Sequence, residues 1–239
     1  MIVTLPQVMP QIERVGVIDD DVAQAEFTSL WVEEADLEPH IIRAEDHPFS
    51  RPEEILERLR RVGAQGAICD HRLTPHQFST FSGAELSATL YDARLPNILT
   101  TQYVDMDVDV SIRKWRHKIP VLLSRDQTDS ETIKHGLLEC YAELLGEISS
   151  ARRAYRTLIR VTDIGTEAGD PVLDVIIPSW NPRHAVRFPL SLVQEDLWDQ
   201  ISVETRLLAW VNVGTDDSRE LFFDRFELAP EPNSTNGLA

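Results

Sequence analysis

The 239-residue chain carries 40 Asp+Glu against 23 Lys+Arg, a formal charge of −17 and a pI near 4.7. Such a surface repels phosphate backbones and anionic lipid at long range, which argues against nucleic acid and membrane as partners and favours protein, metal or phosphorylated small molecules. Apolar residues make up 42%, enough for a buried core, and the only cysteines, Cys69 and Cys140, suggest neither a disulfide framework nor a zinc site.

No apolar run approaches about 18 residues, and the amino end lacks the basic-then-apolar order of a signal peptide, so a reducing, cytoplasmic setting is expected. Residues 1–12 read as a flexible lead. Arg14 to Ile18 is a strand, Val22 to Ala35 has apolar residues at helical spacing, and His40 to Ala44 is a second strand. Ser50-Arg51-Pro52-Glu53 starts a helix, with Ser50 as N-cap and Gly63 as its stop. Ala67 to Cys69 is the third strand. A loop rich in Thr, Pro, His, Phe and Ser runs to Gly83, Ala84 to Tyr91 is helical, and Asn97 to Thr100 and Ile119 to Leu123 are strands. Strands alternating with helices call for a parallel sheet wrapped on both faces.

Apolar residues from Ile133 through Tyr155 recur at three, four or seven, which predicts one long helix closing a domain over 13–150 and linking it onward. From 156 to 229 the pattern is strand-like: Leu158 to Ile164, Val172 to Ile177, Ala185 to Leu190, Val203 to Val213 and Glu220 to Leu228, with a short helical piece near Gln194 to Gln200. A small five-stranded barrel or sandwich is expected there. The tail, 230–239, has the composition of a disordered segment.

The chemistry follows from topology. In an open parallel sheet the carboxyl ends of the strands share one edge, and ligands bind there where strand order reverses. Asp19 and Asp20 end the first strand, Asp70 the third, Thr100-Thr101 the fourth and Ser124-Arg125 the fifth. Three carboxylates together repel, and a hard divalent cation such as Mg²⁺ neutralises them. Asp70 could then act as a nucleophile toward phosphorus, with the Thr101 hydroxyl and the Arg125 cation contacting phosphoryl oxygens.

At these residues the sequence resembles the receiver domain of bacterial response regulators. The resemblance spans about 13–150 and rests on the acidic pair after the first strand, Asp70 after the third, Gly83 before a helix carrying Glu85-Leu86, and a hydroxyl after the fourth. It implies a flavodoxin-like fold, Asp19, Asp20 and Asp70 as Mg²⁺ ligands, Asp70 as phosphoacceptor and Thr101 as the switch hydroxyl, with Thr100 the one-residue alternative. It also implies an output face around the fourth and fifth strands, a sensor kinase as partner, and no enzymatic activity beyond self-phosphorylation at Asp70. A homodimer through the long helix or that output face is a further expectation.

Two departures matter. The family's Lys after the fifth strand is replaced by Ser124 and Arg125, and a guanidinium fork is no substitute for a compact ammonium at a tight phosphate site. The loop His71 to Ser82 is longer than the family's link, and it could cover the pocket or recruit a partner. Beside the response-regulator reading stands a pseudo-receiver: a protein-interaction scaffold that works without phosphorylation. A phosphatase-type hydrolase is a third reading, since Asp19 to Asp21 fits an Asp-x-Asp pattern, although Val22-Ala23 replaces the expected Gly-Thr. The acidic run could instead cap the first helix.

Overall fold

Strands as short and apolar as Val15 to Ile18 or Ile98 to Leu99 are stable only when covered on both faces, and a parallel sheet provides that cover. The computed structural model describes residues 12–44, 47–102, 108–167 and 169–230. Strands β1 (Arg14–Ile18), β2 (Glu38–Ile41), β3 (Gly66–Asp70), β4 (Asn97–Thr101) and β5 (Val121–Ser124) pair in parallel in the order β2-β1-β3-β4-β5. This is the flavodoxin-like, doubly wound arrangement.

Helices α1 (Val22–Glu34), α2 (Pro52–Arg61), α3 (Gly83–Asp92) and α4 (Ser130–Leu144) cover the sheet. Alternation along each strand decides which helices it serves. Val17, Ile68 and Ile98 pack with Ala25 and Val32 of α1 and with Ile133, Leu137 and Cys140 of α4. Ile18, Cys69 and Leu99 pack with Ile55 and Leu59 of α2 and with Leu86 and Leu90 of α3. Helix α2 differs from expectation at its start: Arg51 holds the N-cap position without a side-chain cap, while the Ser50 hydroxyl donates to Glu54 at 2.6 Å.

The expected long helix linking two domains does not form. Helix α4 ends at Leu144, where Gly146 adopts φ 95° and the N–H groups of Gly146 and Glu147 donate to Glu143 and Ala142 at 2.9 Å each. A left-handed glycine with backward hydrogen bonds is a strong helix stop, and it overrides apolar spacing that continues by chance. Leu145 and Ile148 are exposed, and Tyr155 opens a strand. Between β4 and β5 the described residues hold only a π-helical turn, Val108–Ile112, and a 3₁₀ turn, Arg116–Lys118.

The chain divides into two compact units, Met1–Ser149 and Ser150–Ala239. In the second, β6 (Tyr155–Glu167), β7 (Asp170–Ile177), β8 (Asn181–Pro189), β9 (Arg206–Val211) and β10 (Phe223–Leu228) form one antiparallel sheet in the order β10-β9-β6-β7-β8. Its edge strands meet through their side chains: Phe188 of β8 lies 4.7 Å from Phe223 and 5.4 Å from Phe226 of β10, centroid to centroid. The sheet therefore curls strongly, a form nearer a barrel than a two-sheet sandwich. Ile159, Val161, Val175, Ala209 and Val211 fill its concave side. The buried Asn212 ties this unit's first residues to its last turn, donating to the carbonyls of Ala151 (2.9 Å) and Glu220 (3.0 Å) and accepting from Phe222 N–H (2.6 Å).

Among the described residues no helix is long and apolar enough to cross a membrane. The segments expected to be flexible (1–12) and disordered (230–239) lie, except for Ile12 and Pro230, outside the described residues.

Candidate functional site

Because every strand of the first sheet runs the same way, the expected site residues do share one edge. Ile18 pairs with Cys69, Asp70 with Thr100, and Thr101 with Ser124, so the residues after β1, β3 and β5 converge. Asp19, Asp20 and Asp70 each present a carboxylate oxygen within 4.8 Å of the others. Asp21 is separate. As N-cap of α1 its side chain accepts from the N–H groups of Ala23 (2.8 Å) and Gln24 (3.3 Å). The capping reading thus holds for Asp21 and the pocket reading for its two predecessors. That division removes one acid from the Asp-x-Asp pair that the hydrolase reading needs.

Each pocket acid has a donor. Asp19 accepts from Asp21 N–H at 2.9 Å and from Arg125 Nη2 at 3.2 Å. Asp70 accepts from Arg72 N–H at 2.8 Å on one oxygen and from Arg125 Nη2 at 2.7 Å on the other. Asp20 accepts from His76 on both the backbone N–H (3.2 Å) and Nδ1 (2.9 Å).

Burial pushes the Asp19 carboxyl up to about 7, opposed by the Asp21 N–H and reinforced by the charge of Asp70. Burial also raises Asp70, with Arg125 pulling the other way. For Arg125, burial works against the charged form, but the Asp70 charge and hydrogen bond more than offset it, and its pKa rises. The guanidinium remains a fixed cation between two acids.

The hydroxyls differ in their duties. Thr100 Oγ1 donates to the Cys69 carbonyl at 3.3 Å, whereas Thr101, one residue on and 1% exposed, sits beside Ser124 at the edge.

The long loop docks by two means that the sequence did not disclose. Phe78 packs on Phe49, ring centroids 5.2 Å apart, and Phe49 exchanges backbone hydrogen bonds with Phe78 and Thr80. Its two histidines part company: His71 is buried with Nε2 2.8 Å from Ser111 Oγ, while only His76 reaches the acids. His71, His76 and Asp70 are therefore not brought together as a set of metal ligands. A cavity of about 310 Å³ is lined by Asp19 and Asp20 together with Ile42, Arg43, His47 and His76.

Gly83 fixes the height of Asp70. Its N–H donates to the His71 carbonyl at 2.8 Å, and a Cβ there would overlap the Asp70 carbonyl oxygen and lie 2.7 Å from its carbon. Only glycine lets α3 begin this close to the strand end.

The donor set suits a hard divalent cation: three carboxylates, oxygen only, at one sheet edge. In the same geometry one Arg125 nitrogen is shared by two of the three acids.

No protein-family model and no curated protein matches the chain. Solved structures do match part of it. A sensor protein from Polaromonas sp. JS666 is 14% identical, covering 56% of this chain and 99% of its own, with a TM-score of 0.42. A response regulator receiver domain protein from Clostridium thermocellum is 13% identical, covering 57% and 99%, with a TM-score of 0.42. A Francisella response regulator receiver domain is 15% identical, covering 55% and 98%, with a TM-score of 0.40. These matches cover about half of the chain.

Proposed function

We propose that the protein is a response-regulator-like regulatory protein whose acidic pocket sets how it binds a protein partner. The observation that carries this reading is the convergence of Asp19, Asp20 and Asp70 within 4.8 Å at the carboxyl edge of a flavodoxin-like sheet. Asp19, Asp20 and Asp70 would hold Mg²⁺, which when bound supplies positive charge against the acids and against an incoming phosphoryl group. An oxygen of Asp70 is the nucleophile. Arg125 is the cation placed to contact the transferred oxygens once it releases Oδ1, and Thr101 is the hydroxyl that would turn toward them. Trp fluorescence and oligomeric state, followed with Mg²⁺ and beryllofluoride in wild type and Asp70→Asn, test the reading. A response confined to wild type supports it.

A pseudo-receiver, acting as a scaffold without phosphoryl transfer, is the second reading. It is favoured by one specific observation: both oxygens of Asp70 are already hydrogen-bonded, one of them to Arg125. The absence of any response to beryllofluoride in wild type supports this alternative. The curled β domain would serve either reading as the part that meets the partner.

A further inference from the structure

We propose that Arg125 is a tethered cation that competes with divalent metal for the acidic pocket, giving the pocket two charge-balanced states. In one, the guanidinium bridges Asp19 and Asp70. In the other, metal sits among Asp19, Asp20 and Asp70, and Arg125 has swung outward. The inference rests on the reading of the three acids as a cation site, and it adds a residue that decides when that site can fill.

Geometry supports it first. A single nitrogen, Nη2, contacts Oδ2 of Asp19 at 3.2 Å and Oδ1 of Asp70 at 2.7 Å, so it stands in the wedge between two of the three clustered acids. Mg²⁺ needs oxygens at about 2.1 Å and keeps its own waters, which leaves no room for a guanidinium in that wedge. Charge supports it second. A divalent ion and a guanidinium about 4 Å apart repel strongly where solvent screening is incomplete, and the two acids lie 7% and 5% exposed.

The way out is open. The Arg125 side chain is 30% exposed and begins the 3₁₀ turn Arg125–Gln127, just past the last residue of β5. It can rotate to solvent without disturbing the sheet. An arginine cannot be neutralised near neutral pH, so displacement is the only means of removing its charge; a lysine at the same place could lose its proton instead. His76 plays a different part. It meets Asp20 alone, with a side chain 64% exposed, and does not stand between acids.

The test is a titration of the full chain with Mn²⁺, followed by electron paramagnetic resonance of the free ion, in wild type, Arg125→Gln and Arg125→Lys. Competition predicts that Arg125→Gln binds Mn²⁺ about tenfold tighter or more, the scale of removing one adjacent like charge from a half-buried site. Arg125→Lys, with a strongly hydrated ammonium on a flexible stem, is displaced more easily and falls between the two. It also serves alone if the Gln variant does not fold. Equal or weaker binding in both variants, with wild type binding normally, overturns the competition and leaves the metal pocket intact. No binding in any of the three overturns both. Binding only in the variants upholds the competition and shifts the native protein toward the scaffold reading.

Discussion

Nη2 of Arg125 lies 2.7 Å from Oδ1 of Asp70, across 55 residues of sequence. Asp70 at the end of β3 is thus held by the residue just past the end of β5, two strands away in the sheet. Three acids at one sheet edge are expensive without a counter-ion, and this contact is how the metal-free chain meets much of that cost.

The remaining cost should be visible as a pH dependence. The carboxyl of Asp19 has an ordinary value of 3.8 and is pushed up to about 7 by burial. Between those values the folded chain binds a proton that the unfolded chain has released. Stability from this group is therefore full below about 4 and is lost as pH rises toward 7. Asp70 is shifted in the same direction and adds to the slope. Urea midpoints of the metal-free protein should fall across this window, and Asp19→Asn should flatten the curve. A wild-type midpoint that climbs from pH 5 to 7 in parallel with that of the variant would refute the assignment.

Gly83→Ala should be among the most damaging small substitutions. The added Cβ meets Asp70 and His71 backbone, which has no flexible end to yield. Overpacking of this kind costs about 1–3 kcal/mol, and relief requires moving α3 or the end of β3. Denaturant unfolding should show the loss, and any Mn²⁺ binding should weaken with it. An unchanged midpoint would mean that α3 shifts freely.

In the second unit, Asn212→Ala removes three hydrogen bonds, to the carbonyls of Ala151 and Glu220 and from Phe222 N–H. A loss of about 1–3 kcal/mol is expected, with Asn212→Asp no full rescue, because a carboxylate cannot donate to the Ala151 and Glu220 carbonyls. Chemical denaturation followed by Trp fluorescence reads this directly.

What the sequence disclosed follows a physical line. Strands β1, β3 and β5 were legible as short apolar runs, and Asp19, Asp20, Asp70 and Arg125 were legible because each ends or follows such a run. Contacts set by three-dimensional approach were not: His76 on Asp20 joins residues 56 apart, and the loop docks through Phe49, whose ring looks like any core residue. Apolar spacing placed the ends of α1 and α3 to within a residue, although Asp36 and Arg94 just past them adopt φ near 60° without the glycine that usually marks such a stop. At α4 the glycine was present and apolar spacing hid it. Within the acidic run, Asp19 and Asp20 join Asp70 in one acidic cluster while Asp21 caps α1.

The most direct measurement is Trp fluorescence of the full chain on addition of Mg²⁺ with beryllofluoride, with Asp70→Asn beside it. A saturable change in wild type that is absent in Asp70→Asn is the expected result for a pocket that still accepts a phosphoryl group. An identical trace from both proteins, or none from either, would contradict phosphoacceptor chemistry at Asp70.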